Sequence, residues 1–208
     1  MGEAFDRLSR VRGFRAETAI ETVTADGRVF HAFNIASFGL DAVVSAVTNA
    51  LRYGHLPGNL YTLVADIATV VYVPLFGIPE TGLVWAAGNR EMHGVRGRFA
   101  LVALGVGGYR RYGGGKPILP DGRNLCTIRL PSFLRRIRIK KHVYNGTHIH
   151  EKEVHGDYAS YLEIHCAERL PFQFDGEVVM LTPQSFPVRM YVRPNAWLSL
   201  QPSGQSKS

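Results

Sequence analysis

Thr18-Ala19-Ile20-Glu21-Thr22-Val23-Thr24 and Val29-Phe30-His31-Ala32-Phe33-Asn34-Ile35-Ala36 flank the pair Asp26-Gly27. Both runs are rich in β-branched, aromatic and small apolar residues, and the glycine between them accepts the positive φ that closes a tight hairpin. Downstream the period changes. Val43, Val44, Val47, Ala50 and Leu51 recur at helical spacing, with Asp41 as N-cap or first-turn residue, so a helix is expected over 41–51. Gly54, Pro57 and Gly58 end it, and Leu60, Leu63, Val64 and Ile67 mark a second helix over 60–70.

After that the text is mostly strand, with candidates at 70–76, 82–87, 98–106, 125–130, 143–150, 158–166, 171–174, 178–181, 187–193 and 196–200. One basic helix is expected to interrupt them at 131–141. Upstream, Phe5, Leu8 and Val11 recur every third residue and suggest a short helix over 3–12, within an N-terminal helical segment 1–17. Residues 202–208 are polar and read as a disordered tail. The expected fold is mainly β: a large antiparallel β-sandwich with two to three helices, occupying 18–201 as one domain.

Composition agrees. Of 208 residues 46% are hydrophobic and 20% charged, and 22 glycines and 11 prolines suit many strands joined by turns. A net charge of +7 favours phosphate-bearing partners without choosing among nucleotide, nucleic acid and anionic lipid. Cys126 and Cys166 sit in apolar runs and read as buried, reduced thiols. No apolar run has membrane-spanning length, since Leu60–Gly77 is broken by Asp66 and Pro74. The N-terminus lacks a signal core, so a cytoplasmic protein is expected, one that visits the inner face of a membrane.

Four local patterns occur in a fixed order. Asn34-Ile35-Ala36-Ser37-Phe38-Gly39-Leu40-Asp41-Ala42 leads a strand into a helix, and Leu60-Tyr61 opens the next. Tyr112-Gly113-Gly114-Gly115 precedes Pro120-Asp121-Gly122. Gly146-Thr147-His148 precedes Phe174-Asp175-Gly176-Glu177. None is specific alone. Together, over roughly residues 18–200, they resemble the diacylglycerol kinase / sphingosine kinase superfamily, with the closest likeness to bacterial soluble lipid kinases. That family joins a nucleotide-binding domain, carrying a Gly-Gly-Asp-Gly-Thr loop, to a β-sandwich that receives the lipid. The present sequence has neither that loop nor G-x-x-x-x-G-K-[ST], so the resemblance covers the second domain alone.

The resemblance implies roles for three acids. Glu177 takes the place of the glutamate assigned to orient the lipid hydroxyl and accept its proton; read on its own, Asp175-Gly176 is simply a turn between strands. Asp41 takes the place of an aspartate that contacts the polar lipid head, against the plain reading of a first-turn Asp favoured by the helix dipole. Asp121 stands near the position of a structural Mg²⁺ ligand, but Arg123 replaces an apolar residue there and a simple turn is the alternative. Asn34 and Ser37 are expected to shape the strand-to-helix turn, and His148 and His150 to share one strand face, with His148 holding a turn. Gly105-Val106-Gly107-Gly108 fails the G-x-G-x-x-G pattern because Arg110 stands at its last glycine.

Arg129, Arg135, Arg136, Arg138, Lys140 and Lys141 alternate with Phe133, Leu134, Ile137 and Ile139. Such a helix suits an anionic membrane surface or a solvated face; nucleic acid is disfavoured because no aromatic-rich or zinc motif accompanies the charges. The expected function is therefore the lipid-substrate half of an ATP-dependent lipid kinase. ATP and Mg²⁺ would be held mainly by a nucleotide-binding domain acting in cis or in trans, and the chain alone would be inactive. The alternatives are a non-catalytic lipid carrier or regulatory module, and a basic module for membrane or RNA. A missing partner domain would leave an apolar patch open to homodimers.

Overall fold

The computed structural model describes residues 11–52, 77–87, 91–112 and 115–202. In chain order these form β1 (Val11–Val23), β2 (Val29–Ala32), β3 (Ile35–Gly39), α1 (Leu40–Arg52), β4 (Glu80–Ala86) and β5 (Met92–Gly105). Then follow β6 (Leu125–Arg129), α2 (Phe133–Asn145), β7 (Val154–Asp157), β8 (Tyr161–Cys166), β9 (Leu170–Phe174), β10 (Glu177–Leu181) and β11 (Val188–Pro202). The strands make one eleven-stranded sheet in which every pairing is antiparallel.

β5 curls that sheet into a sandwich. Its first half pairs with β4 up to Arg98, and its second half pairs with β3 and β6 from Phe99 onward, with a register shift between Phe99 and Leu101. One layer runs β2-β1-β11-β8-β4-β5 and the other β10-β9-β3-β5-β6-β7. Burial follows from this. β4 alternates as a strand with one covered face should, whereas Phe99–Gly105 is buried at every position. A strand covered on both faces reads as continuous apolar sequence. Its inner face meets the sandwich core with Phe38, Leu83, Leu162, Ile164 and Phe172. Its outer face meets a second core with Ile35, Ile118, Ile128 and Ile139 of α2. Each large side chain fully buried in this way contributes about 1.5–3 kcal/mol.

α1 packs on β3, β9 and β10, and α2 also covers the outer face of that second layer. Neither helix is long and apolar enough to cross a membrane. β3 passes into α1 at Gly39, whose φ is +98° and whose position lies so close to β5 that a Cβ would collide with the Ala100 carbonyl oxygen. Glycine is required there on both counts.

Several expectations change. Val11 and Arg12 belong to β1, not to an N-terminal helix, and the strand starts seven residues before Thr18 because β11 supplies partners as far as Pro202. Residues 3–10, the expected helix over 60–70 and strand 70–76, and the tail from 203 onward lie outside the described residues. The hairpin strand expected over 29–36 is divided after Ala32. Strand 143–150 does not form: α2 runs on to Asn145, and Gly146 at φ 73° ends it while Gly146 and Thr147 donate back to the Val143 and His142 carbonyls. His148 and His150 consequently sit in a 3-10 turn, where His148 is buried against the Ile118 carbonyl oxygen at 3.1 Å. Strands 187–193 and 196–200 are one strand with a bulge, in which Asn195 adopts φ 56°. Cys126 is buried, but Cys166 only half so.

Candidate functional site: a carboxylate cavity and an acidic turn

The turn made possible by Gly39 sets Asp41 in the first turn of α1, above the outer face of β3 and β9. The Ser37 hydroxyl lies 2.9 Å from Asp41 Oδ2 and 2.8 Å from Gln173 Oε1. One hydroxyl has one hydrogen, so it can donate to only one of these oxygens. The trio is satisfied when Asp41 carries a proton and donates to Ser37, or when Gln173 turns its amide nitrogen to Ser37. The electrostatics favour the first arrangement below about pH 6 and the second above it. Burial pushes the Asp41 carboxyl up to about 6, against the opposing pull of Ser37, Tyr112 and Lys116.

Asp41 lines a cavity of about 140 Å³ between α1 and α2. Its walls are mainly apolar, with Leu40 and Val44 from α1, Leu101 and Ile128 from the sheet, and Ile139 and Val143 from α2. Tyr112, Lys116, Arg136 and Lys140 complete the polar part. The Tyr112 hydroxyl is buried beside Asp41 and Ser37, which it couples to electrostatically, and it has no other partner among the described residues. Burial raises its pKa well above the usual phenol value, so it stays a donor. Lys116 Nζ sits 4.2 Å from the Tyr144 ring centroid at the same cavity. An apolar pocket with a carboxyl of tunable charge, a phenol donor and basic groups suits a largely apolar ligand with a hydroxyl, amine or phosphate head.

Glu177 is exposed at the start of β10, and the turn before it is held from afar. Asp175, at φ 49°, accepts the backbone N–H groups of Asn34 and Ile35 on Oδ1, both at 3.0 Å, and that of Phe33 on Oδ2. Its own N–H donates to the Ile35 carbonyl at 3.0 Å. These amides are the ones left over where β2 gives way to β3, so the division of the expected strand 29–36 and the fixing of the Glu177 turn have one cause. Asn49 of α1 adds a bond from Nδ2 to the Gly176 carbonyl at 2.8 Å.

Glu177 and Asp41 are not brought into contact. Glu177 pairs with Phe174, which packs on the sandwich core, whereas the next pair, Val178 with Gln173, faces the outer side where Gln173 meets Ser37. The Glu177 turn is tied to α1 at Asn49, about 12 Å along the helix from Asp41.

The family described as "YegS C-terminal NAD kinase beta sandwich-like domain" matches residues 34–200. The chain belongs to that family. It is thus a C-terminal, NAD-kinase-like β-sandwich domain of the YegS type, in line with the resemblance that the order of its motifs carried. Two solved structures of proposed diacylglycerol kinases from Bacillus anthracis str. Sterne share its fold. One has TM-score 0.55 at 15% identity, covering 92% of this chain and 58% of its own; the other has TM-score 0.53 at 14% identity, covering 89% and 57%. The YegS-type domain therefore spans under three fifths of the length of these neighbours. Among curated proteins no sequence matches it.

The third sequence-derived acid behaves differently. Both Asp121 carboxylate oxygens are taken by Arg123: Oδ1 accepts its backbone N–H at 3.0 Å, and Oδ2 accepts Nε at 2.9 Å and also Nη2. That guanidinium holds the Asp121 carboxyl below its usual range. A guanidinium bonded to this carboxylate is a poor neighbour for a hard cation, so the arrangement does not suit the expected structural Mg²⁺. Gln173 and Lys116 were not singled out by sequence. Tyr112 lay in the quoted Tyr-Gly-Gly-Gly pattern, but nothing local revealed that its hydroxyl would be buried beside Asp41.

Proposed function

We propose that this domain is the lipid-accepting half of an ATP-dependent lipid kinase, which transfers phosphate to a hydroxyl of diacylglycerol, sphingosine or a related lipid. The observation that carries the reading is the cavity, where the Asp41 carboxyl and the buried Tyr112 hydroxyl, with Lys116, Arg136 and Lys140, stand among mainly apolar walls. In this reading the cavity takes part of the lipid, with Asp41 and Tyr112 bonding its polar groups. Glu177, exposed on a turn fixed by Asp175 and Asn49, orients the reacting hydroxyl and takes its proton. ATP and Mg²⁺ belong to a nucleotide-binding domain, in cis or in trans, which supplies the phosphate and the charge stabilisation that transfer requires. The separation of about 12 Å between the levels of Asp41 and Glu177 along α1 asks for an elongated substrate, as a lipid is.

The test is phosphorylation of mixed diacylglycerol, sphingosine and ceramide micelles by radiolabelled ATP, with the chain fused or added to a nucleotide-binding domain of the family. Labelled lipid that disappears with Glu177→Gln supports the reading; labelled lipid that persists removes Glu177 from it. A second reading, a lipid carrier, is favoured by a cavity whose lining does not include Glu177. It predicts lipid binding untouched by Glu177→Gln and no label under any condition.

A further inference from the structure

α2 carries more apolar surface toward solvent than a helix packed on a sandwich needs. Leu134 is 77% exposed, Ile137 50% and Phe133 44%, although Ile139 of the same helix is buried in the outer core. An ordinary surface helix turns charge outward and hides such residues. The outward face here interleaves them with Arg138 and Lys141, both exposed, and the sequence Phe133–Asn145 contains no acid. Its first turn holds Arg135 and no acidic residue, which opposes the helix dipole. Arg135 is accounted for by Glu151 at 3.0 Å and Glu153 at 2.7 Å on the sandwich side, and Arg138 reaches Glu151 at 3.4 Å while its side chain stays 62% exposed. Among the described residues no such structural partner explains Leu134 or Ile137. Nucleic acid would reward the charges but gain nothing from exposed aliphatic side chains. An anionic bilayer rewards both, because apolar residues enter the acyl boundary while basic residues meet the headgroups.

The opposite side of the same helix walls the Asp41 cavity through Arg136, Ile139, Lys140 and Val143. We propose that α2 lies flat on an anionic membrane, with Leu134, Ile137 and Phe133 inserted and Arg138 and Lys141 at the headgroups, and that this holds the Asp41 cavity about one helix diameter, roughly 10 Å, from the bilayer. The proposal deepens the lipid-kinase reading, on which its meaning rests, by naming the surface from which substrate arrives: the lipid passes alongside α2 without crossing water.

The experiment is co-sedimentation of the full chain with phosphatidylglycerol–phosphatidylcholine vesicles and with phosphatidylcholine vesicles alone. Binding is expected to the anionic vesicles only. Leu134→Gln/Ile137→Gln should lower it on the order of tenfold, and Arg138→Gln and Lys141→Gln roughly fivefold each. All four side chains are exposed, so an unchanged melting temperature certifies the fold of the variants. Absence of sedimentation with anionic vesicles overturns the proposal. So does binding that survives Leu134→Gln/Ile137→Gln while failing with the charge variants, which marks a plain polyanion surface. The two readings fail separately. Lipid labelled in micelles by a chain that ignores vesicles sinks the docking alone, whereas vesicle binding by a chain that never labels lipid sinks the kinase reading alone.

Discussion

Asp121 and Asp175 each stand before a glycine in a surface turn, yet their carboxylates are spent differently. Asp121 is closed off by Arg123, two residues on, in an ion pair where both side chains are about a third exposed. Asp175 reaches across more than 130 residues of sequence to cap the amides of Phe33, Asn34 and Ile35, and so ties β9 and β10 to the junction of β2 and β3. The same dipeptide therefore makes a self-contained turn in one place and a tertiary clamp in the other. What separates them is whether a charged partner lies nearby in sequence or a row of unpaired amides lies nearby in space.

The largest effect should come from the residue that the Asp175 clamp presents. In a chain joined to a nucleotide-binding domain, Glu177→Gln is expected to lower kcat by about 10²–10⁴-fold with little change in melting temperature. Next comes the clamp itself. Asp175→Asn keeps a side chain that tolerates φ 49° but sets an amide NH₂ where a carboxylate oxygen accepted a backbone N–H. A loss of about 1–3 kcal/mol is expected in urea unfolding, with kcat reduced as well.

A third carboxylate extends the contrast, since Asp41 is neither paired locally nor used as a clamp but left in a cavity. Its folded pKa of about 6 exceeds its ordinary value of 3.8. The folded chain therefore binds more protons than the unfolded one between those values, and stability falls as pH rises from about 4 to 6. Full expression of the shift amounts to about 2–3 kcal/mol. Asp41→Asn should flatten that part of the pH–melting profile. Smallest of all, Asp121→Asn should cost under about 1 kcal/mol, as exposed ion pairs do. A clamp-sized loss there would erase the distinction between the two turns.

The same distinction governs how much could be read in advance. α1 was legible because Val43, Val44 and Val47 declare a period, and α2 because apolar and basic residues alternate. Glu177 and Asp41 were picked out by the resemblance that the order of motifs carries. The misreadings lay where local text has two solutions. Pro194-Asn195 reads as a turn between two strands, but β1 continues alongside, and a bulge keeps β11 whole. Val143, Tyr144 and Ile149 look strand-like, but Gly146 in a left-handed conformation lets α2 finish and the chain turn. Gln173 was invisible, and Tyr112 legible only as part of a motif, because their meaning depends on Ser37 and Asp41, which only folding brings to them.

The pairing of β1 with β11 has a mechanical corollary. Val11 stands opposite Pro202, and the ladder continues inward from them to Val23 and Arg189. A load applied across those two ends pulls perpendicular to the strands and meets the rungs one after another, as in opening a zipper, instead of shearing them all together. The sandwich would resist force least along this seam, which therefore yields before the core around Phe172 is disturbed.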